Sequence, residues 1–383
     1  MQASERNFEK RGVKDLTIPK ISVIMSVYNG EQYLSEAIES IRGQTFKDWE
    51  FIIINDCSTD KTEQILNDYA ARDGRIRVYK NEVNLKLPAS LNKAVKLARG
   101  EYTARMDADD ICLPCRFEKQ YDFMKSNPDI ALSSCRFMTL KGGAAASGGG
   151  GGRCDSESVK ALLLFTNPVL HPGVIAKSEV MKAMPYDTSL TCTEDLELWT
   201  RMAMKGYRIE IQNEYLMLYR IHEKQITSTT VERQRKEVLE IQRKYYSTML
   251  KPIDRGEEDF YICGIYFKER RNAESFRKFF KWIKGVNGKE KRFDKTALNY
   301  AALEVSAEYK RCGIPRGELI KCLLCFNIGF LAKEIPERKK RARRDGLRCI
   351  RAAESIGFLQ TGGTVEFPIF SKPESRGLKN EYI

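Results

Sequence analysis

The sequence is poor in histidine and has no long apolar run. Only two of its 383 residues are histidines, and no Ser-His-Asp arrangement accompanies them, which argues against a triad hydrolase. The longest largely apolar run, residues 322–332, has 11 residues. A helix that crosses a bilayer needs about 20. The N-terminal stretch MQASERNFEK has no apolar core, so we predict no signal peptide.

Several nucleotide and nucleic-acid motifs are also missing. The sequence has no Walker-type phosphate-binding loop, no zinc finger and no RNP-like aromatic motif. We therefore expect no nucleic-acid partner, although the sequence pI of about 9.1 is basic.

The eleven cysteines are odd in number and irregularly spaced, and no export signal accompanies them. This pattern predicts reduced thiols in a cytoplasmic protein rather than a disulfide framework. Two CxxC pairs occur, Cys112 with Cys115 and Cys322 with Cys325. Neither has a matching second pair at the spacing of a zinc site, so we interpret them as buried small hydrophobic residues.

The formal net charge of +13 belongs entirely to the C-terminal part of the chain. Residues 1–230 carry 31 basic and 31 acidic side chains, whereas residues 231–383 carry 34 and 21. The excess includes residues 271–292 and 338–344. Basic segments that also contain Phe and Trp suit an anionic membrane surface, which we predict as a partner. A solvated helix face is the alternative.

Short apolar runs alternate with helical patterns from residue 20 onward. Strands are predicted at 21–27, 49–55, 75–81, 101–107, 130–138 and 215–222. The runs are β-branched and short, as expected of buried parallel strands, and the connections have helical spacing. The pattern predicts an α/β fold with a mostly parallel, doubly wound sheet flanked by helices. Ligands of such sheets bind at the carboxyl ends of the strands.

The predicted organisation has an N-terminal extension, an α/β domain and a C-terminal region. The α/β domain covers residues 19–230, after an extension over residues 1–18. Within it, the segment 141–152 consists of Gly, Ala, Ser and one Lys, which predicts a flexible loop without regular structure. A connecting helix is predicted over 231–255, followed by a basic, mainly helical domain over 256–383.

Carboxylates cluster at the end of the fourth predicted strand, in RMDADD. Asp107 and Asp109 leave the pleat on the same side, so they can share a hard cation, Mn²⁺ or Mg²⁺. The alternative is a set of solvated turn or cap residues that includes Asp110. Two further acids stand at suitable places: Asp56 follows the second strand, and Glu194-Asp195 opens a helix, where a carboxylate can act as a general base.

Several segments in order resemble family 2 glycosyltransferases of the GT-A fold. They are PKISVIMSVYNGEQYLSEAIESIRGQTFKDWEFIIINDCSTDKT, LARGEYTARMDADDICLPCRFEKQ, NPVLHPGVI, TEDLELWTRM and YRIHEKQIT. The resemblance covers about residues 19–230, and the motifs together are specific. It implies a Rossmann-like sheet and an inverting, metal-dependent transferase. Such an enzyme moves a sugar from a nucleotide donor, usually a UDP-sugar, to an acceptor hydroxyl.

The resemblance also implies roles for residues at the sites of the donor and the metal. Val27, Tyr28 and Asn29 would line the pocket for the base and the ribose, and Asp56 would contact the uracil. Asp107 would touch the ribose or the metal shell, with Asp110 as a helper and Arg105 steadying the donor. Asp109 would bind the metal, His222 would be a late metal ligand or a diphosphate contact, and Arg220 lies nearby.

On the acceptor side, the resemblance implies that Asp195 is the base and that Glu194 orients the acceptor. His171 would shape that side of the site. The acceptor would be a glycan or lipid-linked glycan in the synthesis of a surface polysaccharide or glycoconjugate. We expect a cytoplasmic enzyme, peripheral on the inner face of the membrane. The alternatives are a sugar-1-phosphate nucleotidyltransferase and a catalytically inactive nucleotide-sugar-binding subunit.

Overall fold

The computed structural model of the protein describes residues 18–142, 144–147, 154–223, 231–250, 254–267 and 272–311, with residues 315 and 317. The basic stretch 338–344, the second CxxC pair and nearly all of the predicted N-terminal extension lie outside these residues. Within the described part of the chain, no helix combines the length and the apolarity that crossing a membrane requires.

A nine-stranded sheet forms the centre of the described structure. Its strands are β1 (Ile21–Val27), β2 (Trp49–Asn55), β3 (Ile76–Lys80), β4 (Tyr102–Arg105), β5 (Ile111–Cys112), β6 (Ile130–Lys141), β7 (Ala144–Ser147), β8 (Ile175–Lys177) and β9 (Arg208–Arg220). The order is β3-β2-β1-β4-β8-β6-β9-β5, and β7 pairs with β6. The first four strands are mutually parallel, as the alternation predicted. The other half of the sheet is mixed, because β8 is antiparallel to both β4 and β6.

Helices cover both faces of the sheet. They are α1 (Leu34–Arg42), α2 (Thr62–Arg72), α3 (Lys86–Leu97), α4 (Arg116–Ser126), α5 (Ser156–Leu162), α6 (Ser178–Ala183), α7 (Glu194–Met204), α8 (Val231–Met249), α9 (Arg255–Tyr266), α10 (Ala273–Glu290) and α11 (Lys295–Arg311). Alternate residues of β1 belong to different apolar clusters, Met25 with α1, α2 and α4, and Ile24 with α3, α7 and the C-terminal helices. Burial on both faces explains why the central strands are continuous apolar runs.

Two predicted elements differ from the observed ones. Strand β9 is longer than the predicted 215–222, because it starts at Arg208 and follows β6 through several register shifts. The segment 141–152 was predicted to have no regular structure, yet Ala144–Ser147 forms β7 on β6. A strand ladder is held by backbone hydrogen bonds, so small side chains do not prevent it. Residues 143 and 148–152 of that segment lie outside the described residues.

The three phenylalanines of the basic segment 271–292 are buried, and its tryptophan, Trp282, is partly buried. On α10, Phe276, Phe279 and Phe280 are at most 1% exposed. The ring of Phe280 stacks on that of Phe165, with centroids 5.1 Å apart, so the apolar side of this helix packs on the α/β part of the chain. These phenylalanine rings are therefore not available to anchor the protein in a membrane.

Candidate active site

The carboxyl ends of the first four strands place the predicted polar residues at one edge of the sheet. Asn29 follows β1, Asp56 follows β2, and the cluster Asp107–Asp110 follows β4. Strand β8 runs the other way beside β4, so the segment that precedes it, His171–Gly173, reaches the same edge. The topology therefore brings the residues of four separate motifs to one side of the sheet.

The acidic cluster is compact. One carboxylate oxygen from each of Asp107, Asp109 and Asp110 lies within 4.8 Å of the other two. Asp110 is 1% exposed; its Oδ1 accepts a hydrogen bond from the backbone N–H of Arg220 at 2.9 Å, and its Oδ2 is buried without a partner. Burial, with the charge of Asp109, raises the pKa of Asp110 well above its usual range. An orphaned carboxylate oxygen among three acids fits a divalent cation with oxygen ligands.

Arg105 contacts the acidic cluster, and its charge also acts on the acids at the start of α7. Its guanidinium is buried and pairs with Asp107 Oδ2. Burial raises the pKa of Asp107 to about 6, while the charge of Arg105 opposes that rise. Burial raises the pKa values of Glu194 and Asp195 overall, and the same positive charge of Arg105 opposes that rise. One guanidinium therefore acts on the acids of both motifs, so the two groups of acids lie near each other.

The YRIH motif reaches Asp109 from the end of β9. His222 Nε2 lies 2.9 Å from Asp109 Oδ2, and Arg220 Nε donates to the backbone carbonyl of Asp109 at 2.8 Å. The guanidinium of Arg220 also lies 4.4 Å from the ring centroid of Tyr33, and the Tyr33 ring is 5.1 Å from that of His222. Arg220 and His222 therefore contact the acidic cluster although they lie more than 100 positions further along the chain.

Asp56 and Asn29, which are predicted to bind the nucleoside, are both fixed by hydrogen bonds from neighbouring segments. Asp56 is buried, and its Oδ1 accepts hydrogen bonds from the Asn81 side chain and the Leu85 backbone, both at 2.8 Å. Asn29 has a φ of 53°, a left-handed conformation that asparagine tolerates. Its Oδ1 accepts from the backbone N–H of Thr59 at 2.8 Å.

The two residues before Asn29 differ from each other in exposure. The Val27 side chain packs into the core, so only its backbone can face a ligand. The side chain of Tyr28 is half exposed and free to cover one.

Asp195 and Glu194 begin helix α7 in different environments. The carboxylate of Asp195 accepts hydrogen bonds at 2.7 Å from the Asn167 side chain and from the backbone N–H of Leu196. Glu194 is 4% exposed, and its Oε2 is buried without a partner. Burial, with the charge of Asp195, raises the pKa of Glu194 to about 8. At neutral pH the Glu194 carboxyl is therefore mainly protonated.

His171 is a buried neutral group beside Glu194. Its Nε2 lies 2.9 Å from the Tyr186 hydroxyl oxygen, and its Nδ1 lies 3.8 Å from Glu194 Oε1. Burial lowers the pKa of His171 well below its ordinary value, with a smaller contribution from the charge of Arg105. The imidazole is therefore uncharged at neutral pH and adds no positive charge beside Glu194.

The environment of Glu194 predicts a pH-dependent stability. Its carboxyl has a pKa of about 8 when folded, against an ordinary value of 4.5, so the folded state binds more protons between these pH values. The stability that this group contributes is present below pH 4.5 and is lost as the pH rises towards 8. We expect Glu194→Gln to reduce the loss of thermal stability over that range, measured as Tm at each pH. An equal decline in the variant and the wild type would contradict the assignment, and Glu240→Gln, at an exposed position, is the control.

Sequence inspection missed a residue that holds the start of α7. Glu237 on α8 accepts hydrogen bonds from Thr193 Oγ1 at 2.7 Å and from Arg233 Nε at 3.0 Å. Its carboxylate therefore fixes the residue directly before Glu194. Glu237 belongs to no motif, and only the packing of α8 against α7 shows its role. Asn167, in contrast, stands inside the segment NPVLHPGVI and could have been chosen from it.

Comparison with known proteins decides the family. Residues 22–144 match the model of the family described as glycosyl transferase family 2. A glycosyltransferase of Methanocaldococcus jannaschii, itself uncharacterized, is 39% identical over 212 residues, which cover 55% of this chain and 73% of that protein. The chain belongs to glycosyl transferase family 2. This membership confirms the resemblance seen in the motifs and decides against a sugar-1-phosphate nucleotidyltransferase.

Further relatives of this family 2 glycosyltransferase agree with the assignment. The O-antigen biosynthesis glycosyltransferase WbnJ of Escherichia coli is 33% identical and covers 53% of this chain and 80% of its own. The crystal structure of S. aureus TarS 1–349 in complex with UDP-GlcNAc matches with a TM-score of 0.53 at 18% identity, over 76% of this chain and 90% of that one. At that identity the structural likeness shows the fold alone, and it confirms the predicted GT-A architecture.

Proposed function

We propose that this family 2 glycosyltransferase moves a sugar from a nucleoside diphosphate donor to an acceptor hydroxyl with inversion of configuration. The observation that supports this proposal most is that the Glu194-Asp195 pair adjoins the edge that carries the acidic cluster. His171, at that edge, lies 3.8 Å from Glu194, and the charge of Arg105 acts on the acids of both groups. A site that binds a charged leaving group and one that receives a proton then lie next to each other. A UDP-sugar is the donor that the family resemblance favours.

In this proposal, the β1–β4 half of the edge binds the donor. Asp56 and Asn29 hold the base and the ribose, with Tyr28 and the backbone of Val27 covering them. Asp109, with Asp107, His222 and the buried Asp110, would hold Mn²⁺ or Mg²⁺. A divalent cation bound there would offset the charge that develops on the departing diphosphate. Arg220 and Arg105 keep the acidic residues in place.

Asp195 serves as the general base. The acceptor oxygen forms a bond to the anomeric carbon while the bond from that carbon to the diphosphate oxygen breaks. The proton of the acceptor hydroxyl passes to Asp195, whose position is fixed by the Asn167 amide. Burial raises the pKa of Asp195 above its usual value, which makes the carboxylate a better base near neutral pH. Glu194, mainly protonated, can donate a hydrogen bond that orients the acceptor.

A donor screen tests this function. Purified protein is incubated with UDP-, GDP- and dTDP-sugars in Mn²⁺, in Mg²⁺ or with a chelator, and release of the nucleoside diphosphate is measured. We expect slow hydrolysis of one nucleotide class, dependent on the metal. Tight binding of a nucleotide sugar without any turnover, with or without acceptors, would instead favour an inactive binding subunit.

We also propose that the enzyme acts at an anionic membrane surface on a glycan or lipid-linked acceptor. Helix α10 exposes Lys278, Lys281 and Lys284 along its outer side, while its phenylalanines are buried. Changing these three lysines to glutamate should weaken binding to phosphatidylglycerol vesicles by about a hundredfold or more, at about 1 kcal/mol for each lysine. Flotation at several salt concentrations measures this.

The matched control changes three exposed lysines outside α10 to glutamate, namely Lys96, Lys125 and Lys205. If both triple variants float like the wild type, α10 does not contact the membrane. Point changes are preferable to removing residues 251–383, because α10 shares an apolar core with the α/β part and its deletion would expose that core.

A further inference from the structure

Arg136 on β6 is a buried cation with two unpaired nitrogen atoms. It is 4% exposed, and its Nε and Nη2 atoms are buried and have no partner. The contact that the structure does give it is with the ring of Tyr215, whose centroid lies 5.6 Å from the guanidinium carbon. Burying charged donors without hydrogen-bonding partners is costly, and such an arrangement in a folded protein calls for an explanation.

The register of the sheet places Arg136 at the edge that holds the active site. Ile175 of β8 pairs with Ala104 on one side and with Ser133 on the other. Strands β4 and β6 run in the same direction, and Asp107 and Arg136 each follow their paired residue by three positions. The backbone of Arg136 is therefore about level with the acidic cluster, two strand spacings or about 10 Å across the sheet.

Arg136 lies on the acceptor side of this edge. The residues proposed for the nucleotide follow β1 and β2, on the other side of β4. Ser134, two residues before Arg136, donates a hydrogen bond from Oγ to the carbonyl of Leu170 at 3.0 Å. His171, which follows Leu170, contacts Glu194. The strand that carries Arg136 is thus tied to the segment beside the proposed base.

The neighbouring sequence offers no acid for this arginine. Between Lys141 and Arg153 the chain has only Gly, Ala and Ser. In the described part of the chain, no carboxylate pairs with Arg136. Nε and Nη2 form the side of the guanidinium that binds a carboxylate or a phosphate through two parallel hydrogen bonds. The two unpaired atoms are therefore the pair that an oxyanion would engage.

We propose that Arg136 binds an anionic group of the acceptor, a carboxylate or a phosphate, through this two-pronged contact. This inference rests on the proposed glycosyl transfer in one respect, because it identifies the bound anion as part of the acceptor. Anion binding by Arg136 can be measured without that identification. The arginine would offset the negative charge of Asp195 and the acidic cluster, which would otherwise repel an anionic acceptor. An unpaired charge in the free enzyme would then be retained at a cost in stability because the substrate pairs with it.

The first test measures thermal stability. The nucleotide site is saturated with UDP and Mn²⁺, and Tm is recorded with methyl glucoside, methyl glucuronide or inorganic phosphate at constant ionic strength. We expect the glucuronide or the phosphate to raise the Tm of the wild type, and which one does so identifies the anion. Arg136→Met should itself raise Tm by about 2 °C or more, since it removes an unpaired buried charge, and should abolish the response. The exposed Arg255→Met is the control and should leave the response unchanged.

The second test measures specificity in transfer. Methyl hexosides, the matching uronides and the matching 6-phosphates are compared as acceptors for the wild type, Arg136→Met and Arg136→Lys. We expect kcat/KM of the wild type to be at least about tenfold higher for one anionic series, as a charge-assisted pair of hydrogen bonds provides. Arg136→Met should lose this preference, and Arg136→Lys should keep part of it.

Either of two results would overturn the inference. One is a lower Tm of Arg136→Met together with an unchanged anion response, which would make Arg136 a structural residue. The other is a wild type whose Tm responds to neither anion. Failure of the proposed function looks different, because then no donor is hydrolysed at all while the Tm response to anions still reports on Arg136.

Discussion

Replacing Asp195 by asparagine is expected to lower kcat for sugar transfer by about a thousandfold. General-base catalysis contributes about 10²–10⁴ to rate, and asparagine has nearly the same shape but cannot take up the proton of the acceptor hydroxyl. The change keeps an oxygen that can accept from the backbone N–H of Leu196, so helix α7 should remain in place. Because Asp195 is not part of the acidic cluster, binding of the nucleotide should be almost unaffected.

The measurement pairs transfer kinetics with nucleotide binding by calorimetry. The control is Asp122→Asn, on the exposed side of α4, which removes one carboxylate at a distance from the site. The wild type should also lose kcat as the pH falls through the raised pKa of Asp195, and the residual activity of the variant should not follow that profile. A variant within tenfold of the wild type would mean that another group takes the proton.

The first half of the sheet was predictable because it is buried on both faces. Continuous runs such as ISVIMSV and WEFIIIN indicate parallel strands, and parallel strands bring their carboxyl ends to one edge. The sequence alone therefore assigns Asn29, Asp56 and Asp109 to one edge. The order of the family motifs also assigned the start of α7 and the end of β9 to this edge, although no local sequence pattern connects them to it.

The rest depended on long-range packing that a sequence pattern does not encode. Strand β7 consists of small residues with weak strand preference. It forms because β6 extends beyond its pairing with β8 and leaves backbone N–H and C=O groups available for another strand. The aromatic residues of α10 suggested a membrane anchor, but the same pattern serves to pack a helix on a core. Glu237 and Arg136 are ordinary charged residues in the sequence, and only their burial distinguishes them.

The second large effect is expected from Asp109→Asn. Asp109 belongs to the group of three carboxylates and also contacts His222, so neutralising it removes charge from the place where a cation fits best. A cation contributes several kcal/mol to the stabilisation of a leaving group, so we expect the metal-stimulated part of donor hydrolysis to fall by about 10²–10³-fold. Chelator should have little further effect on the variant.

Direct binding of Mn²⁺ separates this loss from a general defect. Titration by electron paramagnetic resonance, with and without UDP, should show a wild-type site whose affinity rises when UDP is present, and a variant without it. Asp68→Asn, at an exposed position of α2, should bind Mn²⁺ like the wild type. Normal Mn²⁺ binding by Asp109→Asn would mean that Asp107 and Asp110 suffice to hold the ion. The orphaned oxygen of Asp110 makes that a real alternative, and Asp110→Asn would then be expected to have the larger effect.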